Sequence, residues 1–575
     1  MAFLASCIVV LFLPGMAVLH RLHADWSPDI KFSVAPAVTM IWLALAGILG
    51  WIFPNAFWNI SAIAVLLPTV AALIFLLASP SGRRTIRSID PILPVAYIIL
   101  VIFASQFVKL PARVPAELFD QFPYEYFYLV KKDRIPVRIQ AIFHNLPVDN
   151  LIAYRFADFM RRGVDFRTPR EAGCGDRPAI VPGQFINART PLMALVSVHA
   201  GVLASPPVPV DGRWKKTADY DDDDYYRPFL CAAMCLNALV ILPTYLLGVA
   251  LGGRCAGRLA ALLAAVNLGL LVHTAFIWPK AVAAYFVCLL LSYFATNWRR
   301  SPWSPWVVGS LSSLAYFAHP CVAGATVGCM GWQLLQAPER RLTLRRLLVA
   351  GGITACCVAP WVAWGVAWLG TSGNLVSQNI GALGGIDAVV IRLSNILRTL
   401  WPHELFDSNR SWSDRVFAAS FFTFPGMLGL TLVPWLALSM RNRKIALLVS
   451  CVLGAAVVIT ALPFGGLHDG LMPFGGFLAL PVSLAAAAAG ITTSGPLRFL
   501  VLVCLLEQMA GVWFVYSAQA GWTSKVYVSD HQEAWCRLAF LLAVQGTAII
   551  VTVYSLLWRR VSTADATLTI SAGTD

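Results

Sequence analysis

Charge is scarce in this chain. Charged residues make up 13% of the 575 positions, and only 29 are acidic. Water-soluble domains carry about a quarter charged residues. The scarcity excludes a string of aqueous domains, although the length alone would suggest several. Residues 1–19 lack the basic stretch that opens a secretory signal, so they are expected to stay as a span. A disulfide framework is missing too. Nearly all of the thirteen cysteines lie in apolar stretches, where cysteine acts as a small hydrophobe, and Cys174 alone lies clearly in a polar loop. No internal repeat is visible. No polar domain is expected after the last apolar segment, because the tail beyond Arg560 is short and rich in Ser, Thr and Ala.

What the chain has is hydrophobicity: 58% of residues, with mean hydropathy +0.70. A spanning helix needs about 20 mostly apolar residues. Candidates fall near 2–19, 33–53, 58–79, 91–110, 229–251, 256–277 and 280–297. Others fall near 305–318, 320–336, 348–369, 414–438, 445–463, 473–490, 497–518 and 536–558, and 305–336 reads equally as one broken pair. The expected fold class is an all-α, polytopic integral membrane protein with about fifteen transmembrane helices.

Basic residues set the orientation. Arg83, Arg84 and Arg87 share one short connection, Arg254 and Arg258 another, Arg299 and Arg300 a third. Arg340, Arg341, Arg345 and Arg346 form the densest group, followed by Arg441, Arg443 and Lys444, by Arg498, and by Arg559 with Arg560. These spans place all seven groups on one side, which the positive-inside rule makes the cytoplasm. The N-terminus is then outside and the C-terminus inside. The lack of eukaryotic targeting signals points to a bacterial inner membrane. Positive-inside loops also account for most of the +14 net charge, so no nucleic acid partner is implied.

Five regions result: transmembrane helices in 1–110, a first outer loop in 111–228, central helices in 229–369, a second outer loop in 370–413, and C-terminal helices with a short cytoplasmic tail in 414–575. The first outer loop is too long for a plain connection, since compact loops rarely exceed about 15 residues. It carries the aromatic run Tyr124, Tyr126, Phe127 and Tyr128, suited to a membrane interface. A helix is predicted from Asn150 to Arg162. Ile152, Phe156, Phe159 and Met160 share one face, and Arg155, Asp158, Arg161 and Arg162 the other. That pattern predicts an amphipathic helix on the bilayer surface.

Asp149 stands immediately before this helix, and Tyr154, Arg155, Phe156 and Ala157 follow within it. This segment resembles the start of the first outer loop of GT-C fold glycosyltransferases, in the protein mannosyltransferase and aminoarabinose transferase branch (glycosyltransferase family 39-like). In that branch an acid, often an Asp-Glu pair, opens a juxtamembrane helix. Asn150 stands where the second acid would be, which leaves a metal role open. Weaker likenesses follow at Arg189-Thr190-Pro191-Leu192, Trp278-Pro279-Lys280, Ala318-His319-Pro320 and Gly466 to Gly470. The first three spans look like an addition before the family's usual first helix. The resemblance implies a polyprenyl-phosphate-linked sugar as donor. It implies a glycan, lipid or protein acceptor, with a divalent cation (Mg or Mn) as an open cofactor.

The chemistry stands without the name. A polyprenyl phosphate is a good leaving group, so no general acid is required, unlike the two-carboxylate glycosidases. One carboxylate must take the acceptor's proton. Cations must steady the phosphate as its charge develops. Asp149 is the candidate base, and Lys280, Arg189 and Arg410 are the candidate phosphate ligands. Tyr154, Asp158, His319, His403, His468 and Asp469 are candidate substrate contacts.

Each has a plainer reading. Asp149 suits an N-cap. Lys280 would snorkel at an interface. His319 would be a satisfied interfacial histidine. His468 and Asp469 would be turn residues. The acidic run Asp219 to Asp224 lacks the interleaved Gly or Asn of a cation loop, so it reads as a solvated, self-repelling loop. Glu507, with Gln508, lies in an apolar span without an evident partner. The second outer loop, with Arg392, Arg398, His403 and Arg410, reads as a lid. Two other functions stay open: a lipid-diphosphate-dependent glycan polymerase or ligase, and a lipid-linked glycan transporter or flippase.

Overall fold

The computed structural model describes residues 2–23, 25–108, 112–113, 151–162, 190–204, 223–296, 301–369, 385–526, 528–529 and 531–557. These residues are almost entirely helical, and the chain is an all-α polytopic membrane protein. The one β element among them is a two-residue antiparallel pair, Ala112–Arg113 with Val528–Ser529. Asp149 and Arg189 lie outside the described residues, as do the Asp219 to Asp222 part of the acidic run and Cys174.

The N-terminal helices α1 (Ala2–Leu22), α2 (Pro28–Ile52) and α3 (Phe57–Ala78) pack on one another. Ser27 caps α2 by accepting from Ile30 N–H at 3.4 Å. α1 and α2 meet at Gly15, where a Cβ would lie 2.0 Å from the Ala35 carbonyl oxygen. α4 (Pro80–Arg87) is short and basic, and it meets the next helix at a 65° bend. That next helix is α5 (Ile92–Val108).

Helices α6 (Leu151–Arg162), α7 (Leu192–Ser197) and α8 (Ala200–Ala204) follow, then α9 (Asp223–Ala238) and α10 (Ile241–Val266). α10 is in fact two arms. Gly252 and Gly253 leave helical geometry, Gly253 at φ 80°, a conformation open to glycine. A Cβ at Gly257 would lie 2.9 Å from the Tyr245 carbonyl oxygen, so the arms run back along each other as a hairpin.

α11 (Leu268–Ala275), α12 (Lys280–Thr296), α13 (Ser304–Ala318), α14 (Val322–Gln336) and α15 (Arg340–Leu369) continue the bundle. The segment 305–336 is therefore two helices, broken at His319. Then come α16 (Gly385–Leu400), α17 (Trp412–Phe422), α18 (Phe424–Leu428), α19 (Val433–Ser439) and α20 (Arg443–Ala461). α21 (Leu480–Thr492), α22 (Val501–Val526) and α23 (His531–Leu557) end the described chain. The hairpin arms and α21 form the centre, where nearly every residue of α21 is buried.

Seven described helices are long and apolar enough to cross a bilayer, or eight if the bent α4–α5 pair counts as one. Sequence reading expects about fifteen. The two arms of the α10 hairpin, which the sequence reading separates at 251 and 256, count here as one run. Several other apolar helices, such as α12 and α21, are shorter than a full span or are joined to partners across breaks.

The basic connections converge. Asp90, fully buried between α4 and α5, accepts from Arg254 Nε at 3.0 Å and Arg258 Nε at 2.7 Å. Tyr245 Oη donates to Asp29 at 3.1 Å and to Asp90 at 3.2 Å, and Asp90 N–H donates to Asp29 at 2.7 Å. Burial alone would raise the Asp90 carboxyl, but the two guanidinium groups hold it below the usual carboxylate range. Three connections that are far apart in sequence thus meet on one side of the bundle.

A polar seam crosses the apolar core. The chain breaks at Asn267, between α10 and α11, and at Gly429, whose φ is 102°. Asn267 Oδ1 accepts from Leu270 N–H at 3.0 Å, and its amide donates to the Met427 carbonyl at 3.0 Å. Gln508 Oε1 accepts from Leu268 N–H at 2.9 Å. Glu507 accepts from Leu430 N–H at 2.6 Å, from Thr431 N–H at 2.9 Å, and from the Thr431 hydroxyl. The sequence leaves Glu507 without a partner. The structure corrects this, because the broken backbone itself is the partner. In hydrocarbon, freed N–H groups must be re-satisfied inside the protein.

Replacing Glu507 with Leu strips two backbone donors of their acceptor. The expected loss is on the order of 3 kcal/mol of stability. Glu507→Gln keeps one acceptor and should lose clearly less. Thermal melting of the purified variants in detergent checks this. Equal melting of wild type and the Glu507→Leu variant would refute the role assigned to the seam.

Candidate functional site

Five of the residues singled out by sequence lie at the start of α12 (Lys280), between α16 and α17 (His403, Arg410) and in the connection after α20 (His468, Asp469). Their frame is the start of α12. Ile277 has φ 54°, the single left-handed non-glycine residue among the described positions. For a β-branched residue this is a strained state, of order 1–3 kcal/mol, and such strain concentrates at functional sites. Next to it, Trp278 turns its ring under Lys280, whose Nζ lies 3.4 Å from the ring centroid. Lys280 is only 3% exposed, so it does not snorkel into water. Phe474 is a second ring, 5.6 Å from the ammonium.

His273 lies on the last turn of α11, fully buried. Its ring stacks on Phe477 at 3.9 Å and on Phe421 at 5.2 Å, with Trp278 at 5.9 Å. Neither ring nitrogen makes a hydrogen bond among the described residues. Sequence reading misses His273 and Ile277. Their signal is contact and backbone torsion, which no spacing rule carries.

Phe474 leads into the connection 462–475, which carries His468 and Asp469. The His468 ring packs against Phe464 at 4.6 Å and Phe474 at 5.4 Å. Burial lowers the His468 imidazole below its ordinary value, and the Asp469 charge opposes that. α16 holds this connection by its polar face. The buried Asn395 donates to the Gly466 carbonyl at 2.9 Å and accepts from His468 N–H at 2.8 Å. Thr399 Oγ1 accepts from Leu471 N–H at 2.7 Å. Arg398 lies 3.6 Å from Asp469, and Arg392 donates to the Leu462 carbonyl at 2.9 Å. The tight turn is thus bolted to a helix about 70 residues earlier.

Beyond α16 comes a short 3-10 turn, His403–Phe406. Glu404 is 3% exposed. Arg410 Nη1 donates to it at 2.8 Å, and His403 Nε2 lies 3.3 Å away. Arg410 also reaches Asp407 at 3.1 Å. Burial raises the Glu404 carboxyl. Arg410 and His403 oppose this, while Asp469 and Asp407 add to it. The mutual influence of Glu404 and Asp469 ties this turn to the His468 connection.

Lys280, His468, Asp469, His403 and Arg410 therefore form one chain of neighbours, joined by Phe474, Arg398 and Glu404. Other candidates sit on other elements. His319 is fully buried at the α13–α14 corner, where its Nδ1 accepts from Cys321 N–H at 3.1 Å, a local turn contact. Tyr154 is buried on α6 and meets Phe229 edge-on at 5.4 Å. Asp158 is on α6, and its side chain is outside the described set. α6 differs from expectation. Its apolar face does not lie on lipid, because Ile152, Phe156, Ala157 and Met160 are buried in the core, with Phe156 against Trp51 and Trp361. The aromatic side chains of α2 and α15 offer that face a closer-packed partner than acyl chains do. Among the described residues, no group of three or more His, Cys, Asp or Glu is placed to hold a metal ion.

The His468 environment gives a pH dependence. A histidine favoured as neutral in the folded state stabilises it fully above the unfolded value, about 6.5. That contribution is lost as pH falls through the lowered folded value. The melting temperature should therefore drop between about pH 7.5 and pH 5, by about two degrees more in wild type than in His468→Gln. Identical pH profiles would contradict the buried, neutral ring.

No family model matches this chain, and no curated protein does. Among solved structures, the archaeal oligosaccharyltransferase AglB from Archaeoglobus fulgidus, solved with an inhibitory peptide and a dolichol-phosphate, is similar over 75% of this chain at 14% identity and a TM-score of 0.39. The match covers 56% of that protein, so this chain spans little more than half of its length.

Proposed function

We propose that the protein is a GT-C-type membrane glycosyltransferase. It takes a sugar from a polyprenyl-phosphate donor and gives it to an acceptor hydroxyl of an envelope glycan, glycolipid or protein, with inversion. The observation that supports this reading is a pair of cations held by the protein: Lys280, buried over the Trp278 ring, and Arg410, held by Glu404 and Asp407 near His403. A bacterial inner membrane, with the two long loops outward and the C-terminus cytoplasmic, completes the proposal.

In the proposed step the Asp149 carboxylate takes the acceptor's proton. The acceptor oxygen attacks the anomeric carbon on the face opposite the phosphate. The bond from that carbon to the phosphate oxygen breaks, and the polyprenyl phosphate departs with the electron pair, needing no proton. Lys280, Arg410 and Arg189 steady the charge that builds on the phosphate. Lys280 is well suited: its stem is buried, and the Trp278 ring lies under its ammonium. Asp158, His403, His468 and Asp469 are assigned to substrate contact. Tyr154 and His319 are assigned to shaping the helices behind it, as their burial suggests.

A lipid-diphosphate-dependent polymerase or ligase is the second reading, because Arg398, Arg410 and His403 share one patch. Arg392 is taken up by the Leu462 and Ala388 carbonyls. Transport draws less support: the midplane acid Glu507 is occupied by backbone donors.

The test is sugar transfer by the full chain in nanodiscs, with a panel of polyprenyl-monophosphate and diphosphate sugars, with and without EDTA. Wild type should turn over a monophosphate donor. Asp149→Asn should lose about 100-fold or more in kcat. Lys280→Ala should lose about 10- to 100-fold in kcat/KM. Full turnover by Asp149→Asn would sink the mechanism, and turnover on diphosphate donors alone would favour the second reading.

A further inference from the structure

α16 presents an inverted amphipathic pattern. Its polar and small residues, Ala388, Asn395 and Thr399, are buried against the protein. Its outward face is apolar: Ile386 is 80% exposed, Val390 58%, Leu393 56% and Leu397 67%, at helical spacing. Trp401 and Phe406 extend the face past the helix end, at 62% and 69% exposed. A helix at a water-facing surface has the opposite arrangement.

We propose that α16 is an interfacial helix, with this face immersed at the boundary between headgroups and acyl chains. Two observations name the bilayer as occupant. The first is continuity. Arg392 donates to the carbonyl of Leu462, one residue past the end of α20, a helix long and apolar enough to span the membrane. Val458 and Leu462 of that end are themselves exposed, at 48% and 57%. The apolar face of α16 therefore begins where a lipid-facing surface stops. The second is charge placement. The exposed charge of this helix, Asp387, lies at its first turn, every other exposed position from Ile386 to Leu400 is apolar, and Arg392 and Arg398 are turned toward protein carbonyls. Trp401, at the end of the helix, supplies the ring type that favours the interface.

The arrangement has a mechanical result. Asn395 and Thr399 hold the connection that bears His468 and Asp469. The bilayer surface, through α16, then sets the height of that connection. The placement of α16 holds whichever reaction the protein catalyses.

The experiment uses the full chain with a genetically encoded fluorescent amino acid at Leu393 or Leu397. Position Val458 serves as a lipid-facing control and Arg441 as a control on the opposite, basic side. The proteins are reconstituted in phosphatidylcholine vesicles brominated either near the acyl carbonyl or near the chain end. Probes at 393 and 397 should be quenched about two-fold, and more by the bromines near the carbonyl, as an interfacial depth requires. Probes at 393 and 397 that behave like the one at Arg441 while that at Val458 is quenched would overturn the proposal. A photo-cross-linking amino acid at Val390 provides the second measurement. Lipid adducts support the proposal, and a cross-linked dimer of the chain overturns it by placing a second copy on this face. All of these α16 positions are exposed, so the probes leave its packing intact, which a melting curve verifies.

Discussion

Hydrocarbon offers no hydrogen-bond partner to a polypeptide backbone, and the architecture of this protein follows from that constraint. Every interruption of a helix inside the bundle needs its own donors and acceptors. Asn267 provides both at one break, and Glu507 and Gln508 supply acceptors at the two breaks from a single helix. The seam lets α11 and α18 turn inside the apolar core. The turn of α11 is what delivers His273, Trp278 and Lys280 to one place. Polar residues in the span thus allow the chain to bend, and the bend builds the site.

Helical membrane character is plain from hydropathy, because a run of apolar residues long enough to cross a bilayer is visible in one dimension. The basic connections are equally plain, and Arg254 and Arg258 do meet Asp90. Span counting is less faithful. The reversal at Gly252 and Gly253 is legible from the glycines and Arg254, but the short helices α12 and α21 read as full spans in one dimension and are not long enough to be so. The fate of α6 is hidden for a related reason. An amphipathic pattern tells which face is apolar, but it does not distinguish an acyl chain from the rings of Trp51 and Trp361 as the cover.

Within the candidate site, residue type is legible and association is not. Lys280, His468, Asp469 and Arg410 stand out as polar residues among apolar ones. That α16 binds a turn about 70 residues later depends on Asn395 and Thr399, which look like ordinary helix residues in sequence. Glu404 is similar: its importance comes from burial between Arg410 and His403. Positive backbone torsion at Ile277 has no sequence signature at all.

The Asp90 cluster bears on how the chain is made. Asp29 and Asp90 leave the ribosome early, and the guanidinium groups that neutralise Asp90 come 164 and 168 residues later. Until the α10 hairpin arrives, Asp90 lacks the two guanidinium groups that neutralise it in the folded chain. The first five helices therefore form an unfinished unit during synthesis. Insertion of the hairpin both closes the ionic cluster and supplies Tyr245, so the order of synthesis is also an order of locking. The hairpin acts as the latch of the N-terminal half, closed through Tyr245, Arg254 and Arg258.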